Sequence, residues 1–341
     1  MATLQDAETT AARDHAIAWR PTDEYLARSR LRRFYEALGL TSLEALHKWA
    51  AADVGRYWDA VVRDLGLDFH RPYERPIDLS AGAPWPEWFV GGGFNYVYNA
   101  VDRHAVGRKR NQLAVIWEGD DGAVRRLTYR ELRQETDRLA NALRSLGVRK
   151  GDRVGIFLPM APETFVATLA CGKIGAIFIP MFSGYGAEAV ASRLRDCEAS
   201  VLITADAFPR RGKLVPMKSI ADEAMGQSPS VKTCLVLRRT GCEVAWQEGR
   251  DVWWHDAVAG QPRVCECEPT DANDPYMIIY TSGTTGRPKG AVHVHAGFPI
   301  KAAHDLAYCF DLQEDDTLFW LTDLGWMMGP WAIACGLMLG A

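Results

Sequence analysis

At 341 residues, with 48% apolar and 24% charged residues, the chain can hold about two domains around a sizeable core. A net charge of −4 argues against nucleic acid as a partner, and the first residues carry neither the basic nor the apolar run of a secretory signal. Residues 327–341 are the most apolar stretch, but they are broken by Gly329, Pro330, Gly336 and Gly340 and fall short of the roughly 20 residues of a membrane span, so a core element is expected.

In chain order, Leu31, Phe34, Tyr35 and Leu38 fall on one helical face with Gly39 as a stop, and residues 1–84 read as a helical lead-in. Residues 83–89 are turn-rich and run into Gly91, Gly92 and Gly93. From Leu127 the periodicity becomes regular. Thr128 and Glu131 have capping-box spacing, Leu132, Leu139, Leu143 and Leu146 share a face, and Gly147 lies beyond the end. Strands are expected at 154–158, 176–180, 200–204, 233–237 and 277–280, with helices at 162–175 and 187–197. After residue 290 come a helix at 297–309 and a strand at 317–322. This alternation predicts an α/β fold, a parallel sheet with flanking helices and right-handed crossovers.

The eight cysteines are scattered, and the close-set pair Cys265 and Cys267 suits neither a zinc site nor a thioredoxin-like motif. Reduced thiols in a cytoplasmic protein are the expectation. His293 and His295 share a strand face but have no evident third ligand, so no metal site is assigned.

The densest chemistry lies in YMIIYTSGTTGRPKG, residues 276–290. A short apolar strand is followed by Thr281, Ser282, Gly283, Thr284, Thr285, Gly286, Arg287 and Lys289. Glycines let backbone N–H groups turn inward around an anion, hydroxyls donate further hydrogen bonds, and lysine adds a point charge. A polyphosphate is the ligand these parts suit. The string is not the P-loop of nucleotide hydrolases, because Gly290 follows the lysine where Ser or Thr would stand.

Two further stretches carry polar or pocket-forming groups after predicted strands. In TDLGWMMGP, Trp326, Met327 and Met328 could wall an apolar pocket or simply pack in the core. In ITADAFPRRGK, the cations Arg210, Arg211 and Lys213 around Gly212 suit either a phosphorylated ligand or a solvated basic loop.

The 276–290 string resembles the phosphate-binding signature of the AMP-forming acyl-adenylate enzymes: acyl-CoA synthetases, luciferases and adenylation domains. WFVGGGFNYVYNAVDRH, from Trp88, and AVIWEGDDG, from Ala114, narrow the resemblance to the acetyl-CoA synthetase branch. It implies a large N-terminal adenylate-forming domain, incomplete here, over residues 85–341. The adenine- and ribose-binding motifs and the C-terminal catalytic-lysine domain are expected beyond Ala341, leaving the chain inactive alone. ATP, Mg²⁺ and CoA are implied as substrates alongside a small carboxylate such as acetate or propionate. Thr281 and Lys289 take catalytic roles by this resemblance. Residues 281–286 and Lys289 would hold the ATP phosphates, and Arg210, Arg211, Gly212, Lys213 and Met328 would meet CoA. Trp326, Met327 and Met328 would line the acyl pocket. The family has Val-Thr where this chain has Met327 and Met328, and Phe-Gly-Gly-Phe where it has Phe182-Ser183-Gly184-Tyr185. Two other readings stand beside this one: an adenylating enzyme with a non-CoA acceptor, and a non-catalytic nucleotide-binding remnant. Association through the apolar C-terminal run is a further expectation.

Overall fold

The computed structural model describes residues 19–281 and 288–341. Among the described residues four lead-in helices come first: α1 (Asp23–Arg28), α2 (Arg30–Ala37), α3 (Leu43–Ala52) and α4 (Val54–Asp64). Each has a side-chain N-cap, from Thr22, Ser29, Ser42 and Asp53 respectively, which satisfies an otherwise orphaned backbone N–H. The lead-in packs onto the large domain. Phe34 stacks on Tyr308 with ring centroids 4.7 Å apart, and the Tyr57 hydroxyl lies 2.6 Å from His304 Nε2.

A two-stranded ribbon of β1 (Arg75–Asp78) and β2 (Glu87–Val90) leads to a π-helical turn at Tyr98–Asp102 and the short α5 (Arg103–Val106). Then come a hairpin of β3 (Leu113–Glu118) and β4 (Val124–Thr128), and α6 (Tyr129–Ser145). Both halves of the expected capping box are present at Thr128 and Glu131. Leu132, Leu139 and Leu143 are fully buried, so the 3.6-residue stripe faces the core.

The central sheet is built from β5 (Arg153–Phe157), β6 (Ile177–Pro180), β7 (Val201–Ala205), β10 (Thr233–Leu237), β11 (Asp251–Trp253), β12 (Pro275–Thr281) and β13 (Lys289–Val294). Between them lie α7 (Pro162–Lys173), α8 (Ala187–Asp196), a small hairpin of β8 (Phe208–Arg210) and β9 (Lys213–Val215), α9 (Met217–Gly226) and α10 (Trp254–Val258). The spatial order is β11-β10-β7-β5-β6-β12-β13, parallel except for the antiparallel β12–β13 pair at one edge. Strands β5, β6 and β7 are continuous apolar runs, as strands covered by helices on both faces must be. The chain ends with α11 (Phe298–His304), a π-helical turn at Asp305–Cys309 and α12 (Met328–Met338). Among the described residues, no helix is long and apolar enough to cross a membrane.

One expected strand is absent. Residues 317–322 have no regular structure, and Phe319 and Leu321 are 82% and 89% exposed. An apolar run makes a strand only where it joins a ladder, and residues 317–322 pair with neither edge strand of the sheet, β11 or β13.

A buried ion cluster joins α6, α7 and the π-helical turn. Lys173 Nζ lies 2.7 Å from Asp102 Oδ1 and 2.5 Å from Asp137 Oδ1, and Arg133 Nε lies 2.8 Å from Asp102. Lys173 and Asp137 are fully buried. Burial opposes the ammonium charge, but Asp102, Cys267 and Asp137 outweigh it and hold Lys173 above the ordinary lysine value.

Two imidazoles are held neutral inside the fold. Burial, the largest cause in both, brings His295 down to about 3 and His104 down to about 4. Both folded values lie below the unfolded value of about 6.5, so the stability these groups contribute is complete above that pH and is lost as pH falls through it. Each should cost ~1.4 kcal/mol per pH unit between 6.5 and its folded value. Urea midpoints measured at pH 7 and pH 5 should fall accordingly. An unchanged midpoint would contradict the burial of neutral histidine.

Candidate functional site

The chain passes from β5 to β6 on one side, then returns to place β7 and β10 on the other. Connections leaving β5 and β7 in opposite directions open a crevice at the carboxyl ends of these strands, where open α/β sheets take their ligands. A cleft of about 570 Å³ lies there. Pro159 and Met160 follow β5, Phe182 and Ser183 follow β6, Phe208 to Arg211 follow β7, and Arg239 follows β10. The β3–β4 turn adds Trp117, Glu118, Gly119 and Asp120, and the 321–326 segment adds Leu321, Thr322, Asp323 and Trp326.

The basic group is built on a tight hairpin. Arg211 and Gly212 both have positive φ, 51° and 74°, the backbone that a two-residue turn needs to match strand twist. Arg210 and Lys213 are direct register partners across that turn and so share a face. The Arg210 guanidinium stands 5.0 Å from the centre of the Phe182 ring. Gly184 makes room for it, since a Cβ there would lie 2.3 Å from Arg210 Nη1. Lys213 is exposed and outside the cleft lining, whereas Arg210 and Arg211 line it.

Asp206, beyond β7, is a structural anchor. Its carboxylate accepts from the backbone N–H groups of Ala207, Arg239, Thr240 and Gly241 and from the Thr240 hydroxyl. This ties the end of β7 to the end of β10 and sets Arg239 over the Trp117 ring at 4.9 Å.

The opposite wall is latched to the β6 end. Ser183 Oγ donates to Asp323 Oδ2 at 2.5 Å, Ser183 N donates to Asp323 Oδ1 at 3.2 Å, and Gly325 N donates to Asp323 Oδ1 at 2.9 Å. Burial raises the Asp323 pKa, while the hydrogen bonds from Ser183 and Gly325 pull it down. The two backbones run so close that a Cβ on Gly325 would sit 2.1 Å from Phe182 N. Trp326 packs beside Phe182, ring centroids 5.7 Å apart, and is 58% exposed toward the cleft. Met327 and Met328 are half-buried, pack against the core and are not part of the cleft lining.

The hydroxyl- and glycine-rich loop connects β12 to β13. Thr281 and Lys289 are its register partners, both exposed, so Lys289 opens a strand. Gly290 lies across from Tyr280, and a Cβ there would meet Ile278 Cγ2 at 2.8 Å. Ser282, Gly283, Thr284, Thr285, Gly286 and Arg287 lie outside the described residues. Because β12 runs parallel to β6, the loop leaves the same edge of the sheet as the cleft, one strand beyond the β6 end.

Pro159, Met160 and Arg239 line the cleft without having been singled out from sequence, while Trp117 to Asp120 and Asp323 belong to the AVIWEGDDG and TDLGWMMGP segments. Their common signal is position immediately after a strand or opposite one. His295 is fully buried, its Nδ1 accepting from Tyr96 N at 3.4 Å, and His293 packs on the Phe298 ring. Among the described residues, no three His, Cys, Asp or Glu side chains gather where they could hold a metal.

Residues 101–341 match the profile of the family described as AMP-binding enzyme, and residues 43–100 match the acetyl-coenzyme A synthetase N-terminus. An acetyl-coenzyme A synthetase of Methanothrix soehngenii is 40% identical over 338 residues, 98% of this chain and 50% of the relative. One of Cupriavidus necator is 43% identical over 300 residues, 87% of this chain and 45% of the relative. The solved structure of acetoacetyl-CoA synthetase from Streptomyces lividans superposes with a TM-score of 0.88 at 29% identity, over 94% of this chain and 50% of that one. The chain thus spans about half the length of the curated relatives it matches.

Proposed function

Because the chain belongs to the AMP-binding enzyme family, we propose that it carries the phosphate- and CoA-binding part of a ligase that joins a short carboxylic acid to CoA at the expense of ATP. In the first step a carboxylate oxygen attacks the α-phosphorus of ATP, and pyrophosphate leaves. In the second, the CoA thiolate attacks the acyl carbon and AMP leaves. The observation that carries this reading is spatial. The Thr281–Lys289 loop and the Arg210-lined cleft open from the same carboxyl edge of one sheet.

In this reading residues 281–286 and Lys289 hold the β- and γ-phosphates and stabilise the leaving pyrophosphate. Thr281 and Lys289 stand opposite each other at the loop's base, one hydroxyl and one ammonium at its mouth. Magnesium enters as the ATP complex, held mainly by phosphate oxygens and water. Arg210, Arg211, Gly212 and Lys213 meet the phosphorylated end of CoA. Trp326 borders the acyl group, and Met327 and Met328 shape that region from behind the wall. The reaction is placed in the cytoplasm, where the reduced thiols expected from sequence fit.

The pocket chemistry sets the acid range. Methionine is flexible and fills irregular gaps, so Met327 and Met328, packed behind the Trp326 wall, back the pocket without sharply defining it. Acetate and propionate should be used within about tenfold of each other, since one methylene is worth only ~1–3 kcal/mol. A panel of straight-chain acids in ATP–pyrophosphate exchange tests this reading. Activity peaking at eight carbons or longer would overturn it.

A further inference from the structure

A second concave site lies away from this cleft and shares none of its lining residues. It has a volume of about 420 Å³ and is lined by Arg110, Arg130, Arg133 and Arg263, with Gln134 between them and Ala105, Val106 and Val264 at the rim. No carboxylate lines it.

Three elements bring the four guanidinium groups together, and each is fixed. Arg110 sits in the turn before β3, and its carbonyl accepts from Arg130 N at 3.0 Å. Arg130 and Arg133 lie in the first turns of α6, behind the Thr128–Glu131 capping box. The loop carrying Arg263 is pinned to α6 by Asn141, whose Nδ2 donates to the carbonyls of Pro262 and Val264 at 3.0 and 3.1 Å.

The local charge count does not close. Asp102 and Asp137 face Lys173 and Arg133, two carboxylates against two cations. Glu131 is engaged with Thr128, with the charge of neighbouring Arg130 acting on it as well, and Glu135 pairs with Arg138 at 3.9 Å. Among the described residues, Arg110, Arg130 and Arg263 have no side-chain hydrogen bond, ion pair or ring partner. All three are exposed, in a chain whose net charge is −4. Cations converging in one concavity repel one another unless an anion lies among them, and planar guanidinium forks match phosphate oxygens two at a time. Exposed Val106 and Val264 offer an apolar edge beside the cations.

We propose that Arg110, Arg130, Arg133 and Arg263 form an accessory binding site for a small phosphoanion carrying two or more negative charges. The site stands independently of the ligase reading, since none of its residues belongs to the cleft or to the 281–289 loop. Its ligand is a phosphate chain, either free or attached to a nucleoside, and Val106 and Val264 would contact the nucleoside if one is present.

The test is calorimetric titration of the full chain with sodium tripolyphosphate at low ionic strength. It is carried out in a Lys289→Ala background so that the loop's own grip on phosphate is weakened. Saturable binding is expected, with affinity falling about tenfold or more in Arg130→Ala/Arg263→Ala and as salt is raised. Arg130→Lys, which keeps the charge but loses the fork, should recover only part of the affinity that Arg130→Ala loses. Both arginines are exposed, and unchanged circular dichroism and melting would confirm that the variants fold. A matching titration with ATP separates the two ligand sources. Tighter ATP binding assigns a role to the apolar edge, and equal binding assigns the site to the phosphate chain alone. Identical isotherms in the Lys289→Ala background with and without Arg130→Ala/Arg263→Ala would overturn the proposal, as would no saturable binding by Lys289→Ala at about millimolar probe.

Discussion

In the protein as its source makes it, Lys289→Ala should lower acid-dependent exchange of pyrophosphate into ATP by about 10²–10³, or roughly 3–4 kcal/mol, the loss typical of one preorganised donor at a developing charge. Lys289 is exposed at the first position of β13, directly across from Thr281. Its ammonium is therefore anchored by sheet pairing at the base of the loop rather than carried on the loop itself. The same placement predicts little cost in stability, since an exposed edge position buries nothing that alanine would leave unsatisfied. Exchange within threefold of wild type would remove Lys289 from the phosphate-binding group. A large fall in melting temperature would show instead that the residue holds the hairpin together.

Lys173→Ala should cost ~3–5 kcal/mol of folding stability, the size expected when one partner of a buried ion pair is removed. The side chain is fully buried, and its Nζ is shared between Asp102 and Asp137. Without it, two buried carboxylates would face Arg133 alone, at 2.8 and 3.5 Å. Adding Asp137→Leu should recover part of the loss, because it removes a stranded charge and fills space with an apolar group. Urea unfolding of the single and double variants measures both effects. A single-variant loss below about 1 kcal/mol would mean that water or a shifted proton compensates the carboxylates.

The parallel core was legible because its signals are local. Apolar runs flanked by glycine or proline mark β5, β6, β7 and β10, and the Thr128–Glu131 box marks the start of α6. Position after a strand likewise marked the Arg210 segment, whereas the Trp326 segment follows residues that form no strand. What the sequence concealed depends on partners distant in the chain. Residues 317–322 carry an apolar run like a buried strand but join neither edge of the sheet. Arg239 reaches the cleft only because Asp206, 33 residues earlier, grips its backbone. Asp323 stands in the TDLGWMMGP segment, but its bond to Ser183 spans 140 residues. Met327 and Met328 show the converse. Their neighbour Trp326 reaches the cleft, while they turn to the core at the start of α12. Composition alone left open whether these three residues line a pocket or pack the core.

The most direct test is to follow the activated acid on the protein in the form its source makes. With acetate and Mg-ATP supplied, adding CoA should release AMP and form acetyl-CoA in equal amounts, and Arg210→Ala should raise the KM for CoA while leaving pyrophosphate exchange nearly unchanged. Acetyl-AMP that forms but is passed on only to a non-CoA acceptor, or CoA turnover indifferent to Arg210→Ala, would contradict the placing of CoA at this cleft.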